Sequence, residues 1–169
     1  MALAVFAMIF TGCKKDSSSS SSSGGGGGNV PTGDYGTIVV GDQNYSIHVG
    51  VYTIEYDDEI SAYEVGIALT DGTGQNANSY MLVIPFYDAI PNGTFAYYIG
   101  ETPQQGQCGG LFMKGTTGDM LICKSGNATI TKDGSNYKIE SAGAAYSTNG
   151  GHDISFSVNF EGPLTFEQK

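Results

Sequence analysis

Ala128-Thr129-Ile130-Thr131, Asp133-Gly134 and Tyr137-Lys138-Ile139-Glu140 follow one another in the last third of the chain, and Ile154-Ser155-Phe156-Ser157-Val158-Asn159-Phe160 comes soon after. Apolar and polar residues alternate in each run. A period of two places successive side chains on opposite faces of a strand, so each run reads as a strand with one buried face. Asp-Gly between two such runs is a hairpin signal. In the last run Ile154, Phe156, Val158 and Phe160 share one face, and Ser155, Ser157 and Asn159 share the other. That is the pattern of a sheet with one wet side.

The same reading extends towards the N-terminus. Gly36 to Gly41 and Tyr45 to Val49 flank a turn at Asp42 to Asn44, while Glu64 to Thr70 and Tyr80 to Phe86 flank a polar loop from Asp71 to Ser79. No long segment repeats apolar residues at helical spacing without glycine intruding. Short strands about ten residues apart, separated by Gly, Asn and Asp, predict an all-β domain. We expect an antiparallel β-sandwich, with a calycin-like β-barrel as the alternative. Pro85 favours the sandwich, because its missing N–H suits an edge strand or a bulge.

Residues 1–30 have a different character. Met1 to Phe10 is an unbroken apolar run, too short to cross about 30 Å of hydrocarbon as a helix but suited to the core of an export signal. Thr11-Gly12-Cys13 follows, then Lys14-Lys15-Asp16, Ser17 to Ser23 and Gly24 to Gly28. Consecutive Ser and Gly bury nothing and cost much to order, so this stretch reads as a flexible coil. The expected organisation is a signal peptide at 1–12, a Ser/Gly tether at 13–30 and a single all-β domain at 31–169.

The segment through Cys13 resembles a bacterial lipoprotein signal, and with its tether it resembles that of Bacteroidetes lipoproteins. Gly36-Thr37-Ile38, Gly93-Thr94-Phe95, Gly126 to Lys132, Tyr137-Lys138-Ile139 and Phe160-Glu161-Gly162-Pro163-Leu164 are similar to stretches of small Bacteroidetes lipoproteins of uncharacterised function. The resemblance implies lipidation of Cys13, a lipid anchor in the bacterial outer membrane and an exported all-β domain. It transfers no catalytic or binding residue.

The chain has 169 residues and a formal net charge of −10, from 7 basic and 17 acidic residues. Every basic residue is Lys, there is no Trp, and every acidic residue except Asp16 lies beyond the tether. A basic face able to neutralise phosphates is therefore absent, which argues against nucleic acid as a partner. Contact with the membrane is expected through the lipid on Cys13 alone, since anionic headgroups repel such a domain.

Cys108 and Cys123 form an even pair in an exported domain, where disulfides are permitted. Their midpoint falls in Lys114-Gly115-Thr116-Thr117-Gly118. A two-residue turn there sets the two cysteines opposite each other, so a disulfide is expected, with two free buried thiols as the alternative. Asp57, Asp58 and Glu59 form the densest run of charge. They are candidates for binding Ca²⁺, but their spacing does not fit a twelve-residue calcium loop, and a solvated hairpin tip explains the same residues. No other cofactor is expected. His48 and His152 lack the spacing of a zinc centre. No Gly-x-Ser-x-Gly elbow, His-Glu-x-x-His or phosphate-binding Gly loop is present, so no catalytic residue is assigned.

Tyrosine carries the one functional suggestion. Tyr52, Tyr56 and Tyr63 flank the acidic turn, and Tyr97 and Tyr98 are adjacent on a strand, so that one ring points inward and the other outward. Exposed Tyr rings form amphipathic platforms for sugars or proteins, although aromatics also fill β cores. The expected role is a cell-surface binding module for a carbohydrate or protein ligand. A structural component of the envelope and a hydrolase with an unrecognised site are the alternatives.

Overall fold

A computed structural model describes residues 31–72, 77–100, 103–115 and 120–168. Cys13, the signal segment and the whole tether fall outside them. The alternating runs become eleven strands: β1 (Gly36–Val40), β2 (Gln43–Ile47), β3 (Val49–Asp57), β4 (Ala62–Thr70), β5 (Asn78–Pro85), β6 (Gly93–Tyr97), β7 (Gln107–Lys114), β8 (Met120–Asp133), β9 (Asn136–Ser147), β10 (Ile154–Pro163) and β11 (Thr165–Phe166). Among the described residues there is no helix.

All eleven strands belong to one sheet, ordered β11-β3-β4-β5-β7-β6-β8-β9-β10-β1-β2. The sheet is mixed, since β11 runs parallel to β3 and β6 runs parallel to β7. It curls into a half-barrel, which stands in place of the clear antiparallel sandwich expected. The register gives the reason. β2 and β3 lie near opposite ends of the order, yet only His48 separates them in the chain. One near-continuous segment therefore serves β1 on its first half and β4 on its second. His48 holds the junction: its N–H donates to Thr70 O (2.8 Å), its carbonyl accepts from Gly33 N (3.1 Å), and its ring Nδ1 lies 2.7 Å from Gly33 O.

The hairpin read from Asp133-Gly134 is present. Asp133 faces Asn136, and Gly134 supplies the positive φ (60°) that a two-residue loop needs at its first central position. In β10, Phe156, Val158 and Phe160 are buried, as alternation demands. Pro85 sits on neither an edge strand nor a gap in the ladder. It ends β5, beyond the last pairing with β7 at Val83↔Gly109, while Phe86 and Tyr87 both donate to Tyr63 O on the β4 side. No partner strand needs the missing N–H.

β7 and β8 pair only from Leu111↔Ile122 to Met113↔Met120. Beyond that they fork, and β6 fills the gap, pairing Ala96 and Tyr97 with Gln107 and Cys108 on one side and Gly93 to Ala96 with β8 on the other. The fork brings the Tyr97 ring into the interior. There the hydroxyls of Tyr80 (0% exposed), Tyr97 and Ser141 contact one another: Tyr97 to Tyr80, Tyr97 to Ser141 at 2.5 Å, and Tyr80 donating to Ser141 at 3.3 Å. Phe112 and Phe156 pack around them, with ring centroids 5.0 Å from Tyr80 and 5.7 Å from Tyr97 respectively.

Gly110 makes this arrangement possible. A Cβ there would lie 2.4 Å from the Tyr97 ring and 2.8 Å from Cys123 Sγ, whereas a Cβ on neighbouring Gly109 would meet nothing within 4 Å. Gly110→Ala therefore overpacks the core and should cost about 3 kcal/mol, while Gly109→Ala should stay within about 0.5 kcal/mol of the parent. Urea denaturation of the two variants measures the difference. Equal effects would show that the Tyr97 ring does not depend on the missing side chain.

Candidate functional site

Antiparallel register gathers several connections at one end of the half-barrel. β3 turns into β4 through Asp58 to Ser61, and Glu64 near the start of β4 faces Pro85 at the end of β5. Gly93 opens β6 opposite Ile130 near the end of β8, and Asn136 opens β9 opposite Pro163 at the end of β10. The connections at 58–61, 86–92 and 134–135 therefore share this end with the chain's entry at Tyr35 and its exit beyond Pro163.

Side-chain alternation then places aromatic rings there. Val65, Ile130 and Ile139 are 0–1% exposed and belong to the interior, and Ile54 packs against it. Tyr63 stands two residues before Val65, Tyr56 two after Ile54, Lys132 two after Ile130 and Tyr137 two before Ile139. Each continues an inward row by one step past the buried layer. Tyr56 and Tyr63 face each other directly across β3 and β4, 54% and 49% exposed, with ring centroids 5.2 Å apart at 76°. Tyr87 packs edge-on against Phe95 (5.7 Å), and Lys132 Nζ lies 5.6 Å from the Tyr137 ring centre.

Phe86 completes the exposed set. The two N–H groups that converge on Tyr63 O turn the backbone out of the ladder at this point, and Phe86 adopts φ 71° with its ring exposed. Positive φ in a bulky residue costs on the order of 1–3 kcal/mol and persists only where its surroundings impose it. Beside it lies an open depression of about 350 Å³ lined by Ala62, Tyr63, Phe86 and Asp88.

Of the five tyrosines singled out in the sequence, only Tyr56 and Tyr63 are brought together at the surface. Tyr52 is half-buried and packs on Phe166 (5.3 Å). Tyr97 belongs to the interior hydroxyl cluster, where burial raises its phenol far above the usual range. Tyr98 is half-buried, and burial first and the Glu64 carboxylate second raise its phenol. Phe86, Asp88, Lys132 and Tyr137 were not singled out as site residues in the sequence. The alternation through Ile130 and Ile139 already implied the last pair, but nothing signals a positive φ at Phe86.

Asp57, Asp58 and Glu59 form the β3–β4 turn. The Glu59 N–H donates to Asp57 Oδ1 (2.7 Å), so this carboxylate braces its own loop. Among the described residues no three His, Cys, Asp or Glu side chains gather around a point able to hold a metal ion. His152 is exposed in the loop between β9 and β10, far along the chain from His48 at the β2–β3 junction.

The expected disulfide between Cys108 and Cys123 is corrected: both are fully buried free thiols. The pairing is centred one residue further on than assumed. Met113 pairs with Met120 and Leu111 with Ile122, a register that brings Gly110 rather than Cys108 level with Cys123, whose Sγ lies beside Gly110. Cys108 has by then diverged from β8 and pairs through its backbone with Tyr97, while its Sγ donates to Phe95 O at 3.5 Å.

No family model matches the chain, and neither a curated protein nor a solved structure does so.

Burial pushes the Cys108 thiol up to about 12 from its ordinary 9.0, and burial together with the neighbouring Cys108 pushes Cys123 higher still. Such groups keep their protons in the folded state after the unfolded chain has lost them. The stability they contribute is complete below about pH 9 and is lost as pH rises from there towards 12, on the order of 1 kcal/mol per pH unit for each group. Tyr80 and Tyr97 add the same trend above pH 10. Urea midpoints measured from pH 8 to 11 should fall, and Cys108→Ala should flatten the decline between 9 and 10. A midpoint independent of pH would contradict the burial of these groups.

Proposed function

We propose that the protein is an exported binding module, anchored at the bacterial outer membrane through lipid on Cys13, that recognises its ligand with the aromatic end of its sheet. The observation that carries this reading is Phe86, exposed on a backbone of positive φ, at the same end as the half-exposed, edge-to-face pair Tyr56 and Tyr63. Large rings held out of a core cost burial, and clustered exposed apolar surface commonly marks a recognition site. The continuity of β2 into β3 through His48 supports reading the curled sheet as a calycin-like barrel whose open end is the mouth. A carbohydrate suits this surface better than a flat protein face does. A sugar's apolar ring face stacks on an aromatic ring, and its hydroxyls bond to the exposed carboxylates of Asp58, Glu59 and Asp88.

Two measurements test the proposal. Palmitate labelling in cells should mark the wild-type protein and spare Cys13→Ala; an unlabelled wild type removes the anchor. For recognition, the absence of Trp leaves the 11 Tyr as the emitters, so a change in Tyr emission on titration reports contact with the exposed rings. In titrations with defined oligosaccharides, Tyr63→Ala should weaken binding at least tenfold, about 1.4 kcal/mol. Tyr98→Ala should leave it within twofold, and equal binding by the two variants would move the site elsewhere.

A further inference from the structure

We infer that the depression beside Tyr63 takes the ammonium group of an amino sugar, a reading that rests on the aromatic end being the binding surface. The depression is shallow and open to solvent, about 350 Å³. It suits one compact group rather than a long chain. Its lining residues are Ala62, two aromatics, Tyr63 and Phe86, and one acid, the exposed Asp88. The negative face of an aromatic ring attracts a cation within about 6 Å of its centre, and a carboxylate on the same wall supplies the opposite charge. An ammonium on a pyranose ring meets both requirements, because the sugar's apolar face covers an aromatic ring while its amine reaches Asp88.

Three observations favour a cation over a neutral sugar. The adjoining turn adds exposed Asp58 and Glu59 to the same edge, and no lysine lines the depression. Among the described residues, the lysines at this end are engaged elsewhere, Lys132 over Tyr137 and Lys138 with Glu140 at 2.9 Å. Lys132 also shows that an ammonium rests on a tyrosine ring in this environment. The whole chain carries a formal charge of −10, which steers cations towards it and repels acidic glycans. Phe86 gives the site its cost. Its strained backbone turns an aromatic ring to solvent at the one place where that ring forms a wall.

The test uses the full chain in detergent, titrated with glucosamine oligosaccharides, their N-acetylated counterparts and oligolysine, with Tyr emission as the readout. The glucosamine oligomer should bind at least tenfold more tightly than the N-acetylated one at pH 6. That preference should shrink at high salt and vanish in Asp88→Asn. Phe86→Gly, which relieves the positive φ, should keep or raise the thermal midpoint while weakening binding at least tenfold. Equal binding of the charged and acetylated sugars overturns the ammonium site but leaves the aromatic surface standing. Oligolysine binding more tightly than the amino sugar overturns the sugar in favour of a basic peptide. No binding of any probe overturns the inference and the carbohydrate reading together.

Discussion

Three buried hydroxyls hold the sheet in its curl. Tyr80, Tyr97 and Ser141 come from β5, β6 and β9, none of which is hydrogen-bonded to another of the three in the strand order. A phenol or hydroxyl left unpaired in an apolar interior costs about 1–3 kcal/mol, so each needs the other two. They meet only if the sheet bends enough for its inner face to touch itself. An open, gently twisted sheet would leave all three unsatisfied. The cluster thus selects the strongly curled form over flatter arrangements of the same strands, in addition to the apolar burial that both would share.

The rest of the interior is arranged around that requirement. β6 must part β7 from β8 to deliver Tyr97, and Gly110 must lack a side chain to admit it. The parting displaces Cys108 from Cys123 and leaves both as protonated thiols in an apolar setting. In an oxidising compartment such thiols are protected by burial alone, because the thiolate is the reactive form and burial disfavours it.

Much of this architecture was legible as local pattern. The two-residue hairpin at Gly134, the alternation of β10 and the lack of helical periodicity all survive, because each depends on neighbours in the chain. What could not be read depends on distant partners. β6 is five residues long, and nothing in Gly93 to Tyr97 shows that it inserts between two strands that themselves begin to pair. The inward Tyr97 follows from that insertion, and the displaced cysteines follow from it together with the register set at Met113↔Met120. Pro85 misled for a similar reason: a strand's end is as tolerant of a missing N–H as its edge, and only the register distinguishes them. At the candidate site, Tyr56 and Tyr63 were legible because the acidic turn between them set the hairpin. Phe86 was not, since its exposure comes from a backbone turn that two N–H groups share on one distant carbonyl.

The two ends of an inward row obey the same alternation but serve different purposes. Along β4, Leu69, Ile67 and Val65 are sealed, and the next residue of that row, Tyr63, is half open. The step from 0% to 49% exposure occurs within one repeat of two residues, where the layer of opposing side chains ends. An aliphatic residue at that position would gain little from its remaining contacts and would expose greasy surface. A tyrosine buries its ring flank and keeps its hydroxyl wet. Rim tyrosines are therefore tolerated at little cost to the fold, and their presence alone says little about function. Phe86 has no hydroxyl to keep wet, and its backbone is strained, so core packing gives no reason for it. The case for a ligand at this end rests more on that phenylalanine than on the tyrosines beside it.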